Sequence, residues 1–137
     1  MIDKSLMETM VKAATEAVDK YGDKQNHTVA AAVVTADGKV ITGLNLFHFT
    51  GGPCGEIVAV ANAISNGEKG LTAIVAVGDR NRGILAPCGR CRQILFDYYP
   101  SMQVILRRGG QLTTTPIRDL LPETYDWNQE QVGDTPT

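Results

Sequence analysis

Cysteine, proline, glycine and glutamate occur together at two places in this chain. Pro53-Cys54-Gly55-Glu56 comes first, and Pro87-Cys88-Gly89-Arg90-Cys91 follows, with Cys88 34 residues after Cys54. In each segment a proline precedes a cysteine where a helical pattern begins. Proline suits that place because the amide it lacks would have no intrahelical partner there. A thiol at a helix start feels the positive end of the helix dipole, which favours the thiolate. Cys88 and Cys91 are three apart and share one face of a first turn. If the two helix starts meet in space, three thiolates converge. Three thiolates and one open position make the ligand count of a catalytic zinc site, whereas a structural site closes with a fourth protein ligand. His27 and His48 are the only histidines, and neither has the spacing of an evident fourth ligand.

Glu56 falls in the same first turn as Cys54. Bound zinc lowers the pKa of its water from about 15.7 to about 7. A carboxylate beside that water can take its proton and deliver it to a substrate nitrogen. Metal, water and proton shuttle together suit the hydrolytic replacement of an amine by oxygen. Zinc with three thiolates has a formal charge of about −1, which works against acidifying the water. Two helix N-termini offset this, and a cation within the Cys88–Cys91 turn would add to them. Arg90 is the expected cation, with Arg92 second. Two other readings use the same cysteines. They are three buried apolar side chains, or Cys88 and Cys91 form a redox pair. The second leaves the Cys54-Gly55-Glu56 unit without a task.

Elements that place these residues follow from periodicity. Residues 5–21 form an amphipathic helix, with Ser5 and Glu8 at capping-box spacing, an apolar face of Leu6, Met10, Ala13, Ala14, Ala17 and Tyr21, and Gly22 at its end. Residues 28–35 and 39–46 read as two strands joined by Ala36-Asp37-Gly38, a hairpin signal. The run from Val29 to Val34 is apolar on both faces, as in a buried strand. Residues 56–65 suit a helix with Ile57, Val60, Ala61 and Ile64 inward. Residues 71–77 suit a strand, 78–83 a polar loop, 88–98 a helix, 103–107 a strand, 111–114 a short strand and 116–121 a helical turn. The reading is α/β, a three-layer α-β-α sandwich around a mixed, roughly five-stranded sheet. One domain spans 1–128, and 129–137 is a polar tail expected to fray.

The chain has 137 residues, 43% hydrophobic and 20% charged, with a formal net charge of −2. Such a composition supports a packed core and disfavours a basic nucleic-acid cradle. No apolar stretch approaches the roughly 20 residues of a membrane span, and the N-terminus lacks the apolar core of a signal peptide. A soluble cytoplasmic protein is expected, with neither nucleic-acid nor membrane partners. Three cysteines cannot close a full disulfide framework.

The two-part pattern Cys54-Gly55-Glu56 and Pro87-Cys88-Gly89-Arg90-Cys91-Arg92-Gln93 resembles the zinc-dependent cytidine deaminase superfamily, whose signature includes a three-cysteine form and a glutamate that is not a ligand. Within it the chain is most similar to the blasticidin S deaminases. The segments that carry this are 45–54, 81–88, 117–122 and 125–127, and the likeness extends over roughly residues 28–127. The resemblance implies one zinc ion per subunit held by Cys54, Cys88 and Cys91, with Glu56 as the proton shuttle. It also implies substrate contacts at Thr28, Asn45, Gly55, Arg82, Tyr125 and Trp127, and a homotetramer whose neighbouring subunits shape each pocket. Ordinary cytidine deaminases carry Asn-x-Glu where this chain has Asn45-Leu46-Phe47, so an acceptor for ribose is missing. A cytosine nucleoside with another sugar, blasticidin S, is thereby favoured, with Arg82 pairing its carboxylate. The alternatives are an ordinary cytidine or deoxycytidine deaminase and a non-enzymatic zinc-stabilised binding module. Gly55 stands where the family has alanine, and Ile57 where some three-cysteine members have arginine.

Overall fold

Helical spacing of apolar residues produces α1 (Lys4–Tyr21) in the computed structural model, which describes residues 2–131. The helix begins two residues earlier than the Ser5–Glu8 spacing implies. Asp3 is its cap, and its carboxylate accepts from the Leu6 amide at 2.8 Å, placing an acceptor and a negative charge at the positive helix end. Gly22 donates to the Val18 carbonyl at 3.0 Å and ends the helix. The buried stripe is Met7, Met10, Ala14 and Val18. It is rotated from the expected face, and Tyr21 is 64% exposed.

β1 (Val29–Thr35) and β2 (Val40–Leu44) form the expected hairpin, antiparallel from Val34↔Val40 to Ala30↔Leu44. Next come α2 (Gly55–Ser65) and β3 (Leu71–Gly78). β4 (Gly83–Leu85) then folds back antiparallel onto the end of β3, where the sequence reads as loop. Its turn runs through Arg80 and Asn81 at φ 53° and 59°, and Arg82 N–H closes it onto the Asp79 carbonyl at 3.0 Å. A hairpin turn of this hand normally announces itself by glycine, which is absent here. α3 (Gly89–Tyr98), β5 (Gln103–Arg108) and β6 (Gln111–Pro116) complete the fold. A 3₁₀ turn at Ile117–Leu120 and the short helix α4 (Trp127–Glu130) follow. Of the tail expected to fray, residues 129 and 130 belong to α4, capped by the Asp126 carboxylate at 3.2 Å from the Gln129 amide. Residues 132–137 lie outside the described residues.

The sheet runs β2-β1-β3-β5-β6, with β4 attached to β3. Among the described residues only β3 and β5 are parallel, paired at Ala73↔Gln103 and Ile74↔Val104; α3 lies within the connection between them. α1 covers one face, over Ala30, Ala32, Val34, Ala73, Val75 and Val77. On the other face Ala31, Val33, Ile74, Ala76 and Val104 meet Ala59, Val60 and Ala63 of α2 and Leu95 and Phe96 of α3. β1 is buried on both faces, which is why its sequence does not alternate. Among the described residues no helix is long and apolar enough to cross a membrane.

α2 lies unusually close to the sheet. A Cβ at Gly43 would stand 2.4 Å from the Ala59 amide nitrogen. Small residues therefore fill the contact, and the buried face of α2 is Gly55, Glu56, Ala59, Val60 and Ala63. The expected inward face is turned aside: Ala61 is exposed and Ile64 is 48% exposed. Gly43→Ala should push α2 from β2 and lower the unfolding free energy by about 1–3 kcal/mol, the range for overpacking, read by urea denaturation with the slope unchanged.

Candidate metal centre and active site

Two helix starts meet, and a cysteine sits at the cap position of each. Cys54 caps α2 and Cys88 caps α3, both in extended backbone conformation. Their sulfurs are 3.9 Å apart. Cys91, one turn into α3, is buried beneath them. The three Sγ atoms lie within 4.8 Å of one another, and no fourth histidine, cysteine or carboxylate joins the cluster among the described residues. Tetrahedral zinc–thiolate bonds of about 2.3 Å require sulfurs about 3.8 Å apart, so this donor set fits a zinc ion with one position left open.

Electrostatics agree with that fit. Burial raises the Cys88 thiol, but the amides of Cys91 and Arg90, with the neighbouring thiols, outweigh it and draw its pKa below the ordinary value. Cys54 is raised, first by burial, then by Cys88 and Glu56, against a lowering bond from Cys91. Cys91 is pushed far up by burial, then by the Glu56 carboxylate and the other thiols. Cys88 is thus the thiol most inclined to ionise, and a bound divalent cation would favour the thiolate form of all three. Arg90 contributes its backbone amide. Its side chain is exposed and has no hydrogen bond or ion pair among the described residues. The Arg92 side chain, unlike that of Arg90, is held in place. It is half-buried, donating from Nε to the Pro87 carbonyl at 2.7 Å and from Nη1 to the Leu120 carbonyl at 3.2 Å.

Glu56, in the first turn of α2, is only 5% exposed. Burial raises its carboxyl above the ordinary 4.5. Cys54, Glu56 and Cys88 line a cavity of about 380 Å³ whose other walls include Val29, Asn45, Phe47, His48, Pro53, Gly55, Leu85 and Ala86. Gly55 opens α2 as its first residue, so no helix-interior penalty applies. A Cβ there would stand 2.8 Å from the Val29 carbonyl oxygen and 3.3 Å from the Ala31 nitrogen. An alanine at this position, as the resemblance implies for related chains, would require β1 to give way. Asn45 is anchored: its Oδ1 accepts from the amides of Thr28 at 2.7 Å and Val29 at 3.0 Å.

Four expected substrate contacts stand outside this cavity. Thr28 is tied through its backbone, donating to Asn45 and accepting from Asp79 and Arg82. Arg82 binds the Thr28 carbonyl at 2.9 Å and Asp79 Oδ1 at 3.0 Å. Tyr125 and Trp127 are 53% and 55% exposed. Their segment is fastened to α3 by Gln93, which donates to the Tyr125 carbonyl at 2.8 Å and accepts from Thr124 at 2.6 Å. Sequence reasoning missed Asp79, whose buried Oδ2 has no hydrogen-bond partner among the described residues. It also missed Leu85 and Ala86, because it read no strand beyond the Gly78–Gly83 loop. The Asp79-x-x-Arg82 spacing was the available signal for the ion pair.

Residues 2–106 match the family model described as the cytidine and deoxycytidylate deaminase zinc-binding region. The chain is 34% identical over 128 residues to blasticidin-S deaminase of Bacillus cereus, covering 87% of this chain and 91% of that one. It is 30% identical over 121 residues to cytidine deaminase of Halalkalibacterium halodurans, covering 85% and 91%. The solved cytidine deaminase of Burkholderia pseudomallei superposes with a TM-score of 0.71 at 34% identity, over 86% of this chain and 98% of that one.

The raised Glu56 carboxyl has a consequence for stability. The folded state holds that proton more tightly than the unfolded chain. Zinc-free stability therefore falls as pH rises from 4.5 through the folded value. Glu56→Gln lacks that fall. In chelator, denaturation midpoints of the two proteins should coincide near about pH 4 and diverge in favour of the glutamine variant near about pH 7. Equal midpoints at both values would place the carboxylate in water.

Proposed function

Since the chain belongs to the cytidine and deoxycytidylate deaminase family, we propose that it is a zinc aminohydrolase that replaces the C4 amine of blasticidin S with a carbonyl oxygen and releases ammonia. The observation that carries the chemistry is the meeting of Cys54, Cys88 and Cys91 beside the buried Glu56 at the wall of one cavity. Cys54, Cys88 and Cys91 would hold the ion, which when bound supplies an acidified water. Glu56 takes the proton of that water, delivers it to ring nitrogen N3, and then assists the departing amine. The Gly55 amide and Asn45 place the base and its sugar. Val29, Pro53, Leu85 and Ala86 surround the ring with apolar surface. Arg92, tied to the carbonyl that precedes Cys88, supports the thiolates with Arg90. The functional unit is one domain, residues 1–128.

Blasticidin S is favoured by two observations. Phe47 puts an apolar ring where a ribose-reading carboxylate would stand, and the similarity to a blasticidin-S deaminase spans nearly the whole of both chains. The homotetramer is supported by the apolar surface the fold leaves outside, including Phe47 at 63%, Phe49 at 88% and Ile64 at 48% exposure. Thr28, Arg82, Tyr125 and Trp127 then act on substrate where copies meet, since none of them lines the cavity of its own chain. Deamination of cytidine or deoxycytidine is the second reading, supported by the likeness to cytidine deaminases.

Glu56→Gln should retain one zinc per chain by metal analysis while ammonia release falls by about 100- to 10,000-fold; undiminished release would remove the shuttle. Wild-type kcat/KM should be higher for blasticidin S than for cytidine in a parallel ultraviolet assay, and the reverse order selects the second reading.

A further inference from the structure

Hydrogen bonds leave residues 122–131 at one side chain only, among the described residues. The backbone bonds of this segment stay inside it, from Glu130 to Asp126 and from Gln131 to Trp127. The Tyr125 hydroxyl accepts from Gln131 Nε2 at 3.2 Å, which closes the segment on itself. Its carboxylates form no ion pair among the described residues, and α4 buries no residue. Both bonds that do leave it reach Gln93 of α3. Gln93 Nε2 donates to the Tyr125 carbonyl at 2.8 Å, and Oε1 accepts from the Thr124 hydroxyl at 2.6 Å. Nε2 also donates to the Asp97 carboxylate at 3.1 Å. A carbonyl and a carboxylate can only accept, so the orientation of the Gln93 amide is forced. The residue before it, Arg92, holds the Leu120 carbonyl at 3.2 Å.

These two residues directly follow Cys91, and the helix start they belong to is weak by itself. Its cap position holds a thiol, a poor acceptor, in place of the oxygen of a serine or aspartate. Gly89 opens the helix, no acidic residue stands in its first turn, and Arg90 faces the positive helix end. A helix of 10 residues depends on tertiary support. The first turn of α3 carries two of the three clustered sulfurs, so an ion shared with Cys54 would supply that support. Arg92 Nε ties the same turn to the Pro87 carbonyl at 2.7 Å, immediately before Cys88.

We propose that Arg92 and Gln93 are positioning residues that couple the metal centre to residues 120–131. An ion on the three sulfurs fixes the first turn of α3, and that turn fixes the segment bearing the exposed side chains of Tyr125 and Trp127. The coupling is reciprocal, so whatever loosens the segment weakens the hold on the ion by the same factor. It concerns the ion and the segment, and it holds whichever nucleoside is turned over.

Trp127 is the only tryptophan, so its fluorescence reports this segment alone. Returning zinc to chelator-treated protein should lower iodide quenching of Trp127, saturating at one ion per chain. Thr124→Val removes the hydroxyl that Gln93 accepts from and leaves all three cysteines in place. Its zinc dissociation constant, from competition with a chromophoric chelator, should rise about fivefold, the equivalent of one neutral hydrogen bond. Thr124→Ser keeps the hydroxyl and should match wild type. Asp3→Ala removes the cap of α1, on the opposite face of the sheet, at a comparable cost in stability; it should change neither reading. Zinc uptake to which Trp127 is silent, or equal zinc affinities for Thr124→Val and Asp3→Ala, would overturn the coupling and leave the zinc aminohydrolase standing. If the chelated chain unfolds, zinc release from the loaded proteins decides. Faster release from Thr124→Val than from Asp3→Ala supports the coupling, and equal rates overturn it.

Discussion

Two helices aim their N-terminal ends at one point, and each carries a cysteine at the cap. That convergence is what the remainder of the structure serves. Free amides at the start of α3 draw the Cys88 thiol below its ordinary value against burial, while burial holds Cys91 back from ionising. The sheet makes the meeting exact enough for an ion. α2 is pressed against β2 at Gly43 and against β1 at Gly55, with no room for a methyl group at either place. α3 is delivered by the single parallel connection, from β3 to β5. The site's position is thus set by backbone approach more than by side-chain packing, and glycines mark where the approach is closest.

Glu56 is kept from water and held toward its protonated form. Arg82 bridges the Thr28 carbonyl and Asp79 Oδ1 and does not line the cavity. Arg92 and Gln93, the residues directly after Cys91, bind the C-terminal part of the chain, at Leu120 and at Thr124 and Tyr125. The helix that carries two thiols therefore also carries the fastening of residues 120–125.

Much of this was legible in the residues. The β1–β2 hairpin and both cysteine-bearing helix starts followed from spacing, because capping and turn chemistry are local and strong, whereas the meeting of the three cysteines was implied by the family resemblance. Faces of helices were less legible. α2 turned Ala61 and Ile64 outward because its tight seat accepts only small side chains, and that seat depends on Gly43, distant in sequence. Ser5 and Glu8 imitated a capping box that Asp3 pre-empted. β4 was invisible because its turn uses Arg80 and Asn81 at positive φ instead of glycine. The engagement of Arg82 by Asp79 depends on burial, which a lone sequence does not display.

The parallel connection also orders events in time. During synthesis the hairpin and Cys54 emerge well before Cys88 and Cys91, from which α2, β3 and β4 separate them. Pairing β5 beside β3 is a long-range closure, and such closures form slowly. For that interval a nascent chain carries unshared thiols open to oxidants and to softer metals. Its cellular yield should therefore track the reducing capacity and metal supply at the ribosome, in addition to the strength of its finished core.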